Sequence, residues 1–63
     1  MNKGEQVRLR RAIRAGELDQ TWITLPDRMV FAEKVTIAPH GIVIHTRYGL
    51  IDTQVDQIVK AVH

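Results

Sequence analysis

The chain of 63 residues contains neither cysteine nor serine. Without cysteine it has no disulfide bond and no thiolate metal site. Without either residue, the usual thiol and hydroxyl nucleophiles are missing, and threonine is the one hydroxyl candidate left. The absence of cysteine fits a reducing compartment, and we predict a cytoplasmic protein.

Long apolar runs are also missing. The longest are Met29–Ala32 and residues 42–44, whereas a membrane-spanning helix needs about 18 apolar residues. The N-terminal segment is basic but has no apolar core of the kind found in a signal peptide. We therefore expect no membrane partner.

Groups suited to catalysis or cofactor binding are sparse. The four glycines are isolated, so there is no glycine-rich phosphate loop, and no two acids are placed as a catalytic pair. Three histidines, His40, His45 and His63, do not have the spacing of a zinc site. The sequence predicts a non-enzyme with no catalytic residue, no metal, no cofactor and no small-molecule substrate.

Positive charge is concentrated near the N-terminus. Residues 7–14 contain four arginines and no acid. Residues 1–14 carry five basic side chains and one acidic side chain, whereas the other 49 residues carry four basic and six acidic ones. A block of guanidinium groups is typical of a surface that contacts phosphates or carboxylates.

The same segment has the signals of a helix over about residues 3–15. Asn2 and Glu5 have the spacing of a capping box, and Gly16 lies where helices end in a left-handed conformation. Leu9, Ala12, Ile13 and Gly16 recur at the spacing of one apolar helix face. The basic residues Lys3, Arg10, Arg11 and Arg14 fall on the opposite face, with Arg8 at its margin.

Residues 21–51 have the pattern of a meander of short strands. Alternating or β-branched segments cover residues 21–25, 29–37, 42–46 and 50–51. In the second segment Met29, Phe31, Val35 and Ile37 share a face, and Glu33 interrupts it, which predicts a bulge or two shorter pieces. Turns are expected after Pro26, at residues 38–41 and at residues 47–49.

Over about residues 53–62 the pattern predicts a second helix. Val55, Ile58, Val59 and Val62 have helical spacing, and Asp52 or Thr53 precedes them as a cap. The predicted fold is one small α+β domain over residues 1–63. Its antiparallel three- or four-stranded sheet, a meander that curls toward a barrel, lies between an N-terminal and a C-terminal helix.

Trp22 or Tyr48, if exposed beside the arginines, could stack on an unpaired base. A lone tryptophan in so short a chain is usually the largest block of the core, which is our prediction for Trp22. Tyr48 lies in a predicted turn, where exposure favours contact with a partner.

The leading hypothesis is a small, regulatory or accessory nucleic-acid-binding protein that uses the basic helix. The predicted contact residues are Lys3, Arg8, Arg10, Arg11, Arg14 and Tyr48. Alternatively, the arginines serve solubility or pair with Glu17, Asp19 and the acids of the sheet. The rival hypothesis is a protein-interaction module, either a homodimer that pairs edge strands or helices, or a small inhibitor or adaptor that binds an acidic protein.

Overall fold

The computed structural model describes all 63 residues and contains one α-helix and six short β-strands. The strands form two antiparallel sheets, with the orders β2–β1–β6 and β3–β4–β5. The elements are α1 Lys3–Arg14, β1 Thr21–Thr24, β2 Met29–Ala32, β3 Lys34–Ala38, β4 Gly41–Thr46, β5 Gly49–Thr53, a 3₁₀ turn Val55–Gln57 and β6 Lys60–Val62. The prediction of a single sheet between two helices is therefore wrong.

Local signals determine both ends of α1. The side-chain oxygen of Asn2 accepts a hydrogen bond from the backbone N–H of Glu5 at 2.8 Å, and its amide donates to the Glu5 carboxylate at 3.1 Å. Gly16 has a φ of 76°, and its N–H donates to the carbonyl oxygen of Ile13 at 3.0 Å. The predicted N-terminal helix is confirmed, one residue shorter than expected.

Glu33 joins the two sheets. Its backbone N–H donates to the carbonyl oxygen of His45 at 2.8 Å, and its own carbonyl accepts from the N–H of Gln20 at 3.3 Å. The interruption predicted at Glu33 is thus confirmed. Ala32 and Val35 are both buried although they are three residues apart, so the inward and outward faces exchange between β2 and β3.

This exchange contradicts the common face predicted for Met29, Phe31, Val35 and Ile37. Val35 is buried, whereas Met29 and Phe31 belong to the exposed face of β2. An uninterrupted strand would have kept all four on one side. The extra residue at the junction reverses the alternation.

The core between α1 and the two sheets is aliphatic. Its ten buried members are Ile13, Leu18, Ile23, Leu25, Ala32, Val35, Ile42, Ile44, Val55 and Ile58. No aromatic residue belongs to it, and Trp22 is 46% exposed. The prediction that Trp22 fills the core is therefore wrong, because β1 alternates and Ile23 occupies its inner face.

There is no C-terminal helix. Asp52 and Thr53, the predicted caps, lie in β5, and β6 pairs with β1. Of the four apolar residues at helical spacing, Val55 and Ile58 are buried and Val59 and Val62 are exposed. β-branched residues have weak helix propensity. Here the segment makes backbone hydrogen bonds to β1 instead, including the one from the N–H of Val59 to the carbonyl oxygen of Thr24 at 2.8 Å.

The one α-helix, α1, is twelve residues long and has neither the length nor the apolar character needed to cross a membrane.

Candidate functional site

The helix α1 is packed against the rest of the protein along one face. Ile13 is buried, Leu9 and Ala12 are partly buried, and the helix contacts β3 and the 3₁₀ turn. The predicted apolar face is therefore the packed one. Since this face fixes the orientation of the helix, the arginines project from a rigid element rather than from a mobile arm.

Four of the five basic residues of α1 are exposed to solvent. These are Lys3, Arg8, Arg11 and Arg14. Arg10 is half-buried, so it belongs to the margin of the basic face and Arg8 to the exposed part, the reverse of the predicted placement.

None of the α1 arginines forms an ion pair. The one ion pair between an arginine and a carboxylate is that of Arg28 Nε with Asp27 Oδ2 at 4.0 Å, and His40 Nε2 lies 2.9 Å from Asp52 Oδ1. The carboxylate of Asp19 instead accepts a hydrogen bond from the backbone N–H of Val35 at 3.3 Å. The alternative in which the arginines pair with Glu17 and Asp19 is thus not observed, and the charge of the helix is uncompensated at short range.

Further basic residues lie beside α1. A groove of about 600 Å³ between α1 and β6 is lined by Arg8, Lys60 and His63, together with the acids Glu5 and Glu17. A smaller groove of about 300 Å³ on the β3 side of the helix includes Arg14 and Lys34 together with Asp19. Basic side chains therefore lie on both sides of α1, balanced by two acids in the groove toward β6 and exceeding the one acid in the groove toward β3.

Tyr48 lies at the tip of the β4–β5 hairpin. Thr46 pairs with Gly49, so Arg47 and Tyr48 are the two turn residues. The Thr46 hydroxyl donates to the carbonyl oxygen of Gly49 at 2.9 Å and accepts from the N–H of Tyr48 at 3.1 Å, which holds the turn. The phenol is 91% exposed, and the Arg47 guanidinium carbon lies 5.6 Å from the centre of its ring.

The structure brings Tyr48 together with the other two aromatic residues, not with α1. Trp22 and Phe31 pack edge to face, with ring centres 5.2 Å apart and planes inclined at 66°. All three aromatic residues line one open groove of about 730 Å³. Tyr48 lines neither of the two grooves beside α1. Sequence reasoning did not name Trp22, Phe31 or Arg47 as site residues, and it predicted a buried Trp22 although the alternation of β1 places residues 22 and 24 on one face.

The histidines lie apart from one another. His45 Nε2 is 3.0 Å from the Thr36 hydroxyl, and His40 contacts Asp52 on the β5 side of the hairpin. No group of three or more His, Asp or Glu side chains lies close enough together to hold a metal ion.

Comparison of the chain with protein-family models, with curated proteins and with solved structures gives no match.

Proposed function

We propose that the protein binds nucleic acid without catalysing a reaction, and that α1 contacts the phosphate backbone. Arg8, Arg11 and Arg14 make the principal contacts, with Lys3 in the first turn and Arg10 at the margin assisting. The observation that carries the proposal is the absence of any carboxylate within ion-pairing distance of the α1 arginines, although the helix that bears them is firmly packed.

An unpaired basic face on a fixed helix suits a polyanion. Bringing guanidinium groups to phosphates releases condensed counterions, which gives affinity that depends on salt and little on sequence. Arginine also forms two parallel hydrogen bonds to a phosphate, a geometry that a fixed helix presents repeatedly. If the arginines served the stability of the fold, we would expect at least some of them to pair with acids of the same chain.

The test replaces Arg8, Arg11 and Arg14 together with alanine, which leaves the buried face of α1 unchanged. Binding to a short labelled DNA duplex is measured by fluorescence anisotropy between about 50 mM and 200 mM salt. The slope of log affinity against log salt is expected to become shallower by about 0.9 for each phosphate that the variant no longer neutralises.

The matched control replaces the same three residues with lysine, which keeps the charge, and is expected to retain most of the salt slope. Undiminished affinity and an unchanged slope for the alanine variant would contradict the proposal.

A second candidate, self-association, has support from β5. This strand pairs with β4 alone, so its other edge carries unpaired backbone groups, and its Leu50 is exposed. Sedimentation equilibrium over a range of protein concentrations separates the candidates: a dimer that binds no nucleic acid at low salt favours self-association. A monomer that also binds no nucleic acid directs the search to an acidic protein partner.

A further inference from the structure

The outer face of the sheet β2–β1–β6 is apolar and uncovered. Trp22 lies between Phe31 on β2 and Val62 on β6 in the pairing register, so the three side chains form one cross-strand row. Met29, two residues from Phe31 on the same strand, extends the row along the sheet. All four are exposed, and exposed apolar patches of this kind commonly mark binding surfaces.

The β4–β5 turn adds a polar boundary to this face. Arg47 and Tyr48 line the aromatic groove, which is defined by Trp22, Met29, Phe31, Arg47 and Tyr48 and has a volume of about 730 Å³. Glu33 is its one acidic lining residue. The groove thus combines three aromatic rings with a guanidinium group that already lies against one of them.

We propose that the aromatic groove binds an unpaired base of a single-stranded nucleic acid. The proposal deepens the proposed function, on which it rests, by naming the form of nucleic acid. A base offers a flat π surface that stacks on tryptophan or tyrosine. The phosphate of the same nucleotide accepts hydrogen bonds from the neighbouring Arg47 guanidinium. In a duplex the base faces are covered by their neighbours, so the groove selects single strands whereas α1 does not distinguish the two forms.

Positive charge connects the aromatic groove to α1. Lys60 pairs with Thr24 in the register, which places it on the same outer face as Trp22. Lys60 also lines the groove between α1 and β6, together with Arg8. Lys60 thus belongs both to the groove beside α1 and to the sheet face that bears Trp22, which gives a bound strand one basic residue between the two surfaces.

Charge favours a nucleic acid over a second copy as the occupant. If two copies packed through this face, each copy would contribute two basic residues, Arg47 and Lys60, and one acidic residue, Glu33. Their basic residues would outnumber their acidic ones in a surface that loses water on contact. A polyanion meets the same surface with complementary charge.

Trp22 is the only tryptophan, so its emission reports on the aromatic groove in the unmodified protein. The protein is titrated at low salt with a mixed-sequence single-stranded DNA, the RNA of the same sequence and the corresponding DNA duplex. We expect each single strand to quench Trp22 emission, whereas the duplex binds through α1 and leaves the emission nearly unchanged.

Tyr48→Ala is the main variant, because the side chain is almost fully exposed and its removal does not disturb the core. It is expected to weaken single-strand binding about 5- to 150-fold, the range for loss of one stacked base, and to leave duplex binding unchanged. Phe31→Ala serves as a second variant, with circular dichroism to verify its fold. Gln57→Ala, which removes an exposed side chain that lines none of the grooves, is expected to bind like the unaltered protein.

Unchanged Trp22 emission at saturating single strand, or undiminished single-strand affinity of Tyr48→Ala, would overturn the inference. So would emission that changes with protein concentration in the absence of nucleic acid, because a second copy would then occupy the aromatic groove. Failure of the proposed function gives a different result, since the α1 alanine variant would then retain its affinity for the duplex.

Discussion

Gly41 begins β4 with a φ of +152°, a conformation that side-chain-bearing residues rarely adopt. A Cβ atom built at this position would overlap the carbonyl oxygen of Thr53 and crowd the side chain of Gln54. The Gln54 amide donates a hydrogen bond to the carbonyl oxygen of His40, so the turn and the end of β5 approach each other through the space that Gly41 leaves.

We predict that Gly41→Ala lowers the free energy of unfolding by about 1–3 kcal/mol, since it adds a steric conflict to backbone strain. The measurement is urea denaturation followed by circular dichroism. Gly49→Ala is the matched control, because Gly49 has a φ of +136° but no neighbour within 4 Å of the added carbon. Equal decreases for the two variants would show that crowding at Thr53 contributes nothing.

Trp22 shows what a residue type alone fails to predict. Its size favours burial, but its position in the alternating strand β1 determines which face of the sheet it occupies. Ile23 occupies the inner face, so Trp22 lies on the outer face. The arginines of α1 are easier to place, because the apolar residues of an amphipathic helix define its buried face and leave the charged residues on the opposite face. Arg10 is the exception. It lies at the edge of the exposed face, where the helical period alone does not tell whether a side chain is exposed or half-buried.

At the scale of the elements, the packing of α1 against the core has a direct test. Ile13 is 4% exposed and belongs to the core, whereas Val7 is 47% exposed on the same helix. We predict that Ile13→Ala lowers the free energy of unfolding by about 2–5 kcal/mol, and that Val7→Ala changes it by about 0.5 kcal/mol or less. Urea denaturation measures both, and a small decrease for Ile13→Ala would mean that the helix is not anchored through this residue.

The elements that sequence reasoning predicted correctly have local causes. The α1 helix has its cap, its stripe and its terminating glycine within fifteen residues, and the β3–β4 turn has Pro39 and Gly41. The C-terminal segment has helical spacing but no such support, since Gln54 makes no side-chain cap. Its structure depends on pairing with β1, about 36 to 40 residues away in the chain, as read from the strand register. The spacing of apolar residues within one segment does not reveal its pairing with a strand so distant in the chain.

For the whole molecule, the accessible surface of 4319 Å² is close to the value of about 4,100 Å² expected for a folded monomer of 7.2 kDa. The amount of surface therefore does not require a second copy. Its composition is the unusual feature, because the arginines of α1 have no ion-pair partner and three aromatic residues, Trp22, Phe31 and Tyr48, line one open groove. Both surfaces are supported by the same small core, so a ligand that binds them is expected to stabilise the fold as a unit.

We predict that a single-stranded oligonucleotide at about 100 times its Kd stabilises the protein by about 2.7 kcal/mol, because it binds the folded state and not the unfolded one. For a domain of this size the corresponding rise in Tm is about 10–20 °C. Thermal unfolding followed by circular dichroism at low salt measures this shift, and the variant with alanine at Arg8, Arg11 and Arg14 provides the control. At the same oligonucleotide concentration that variant should show a much smaller shift. A Tm that ignores the oligonucleotide but increases with protein concentration would instead assign the stabilising contact to a second copy of the chain.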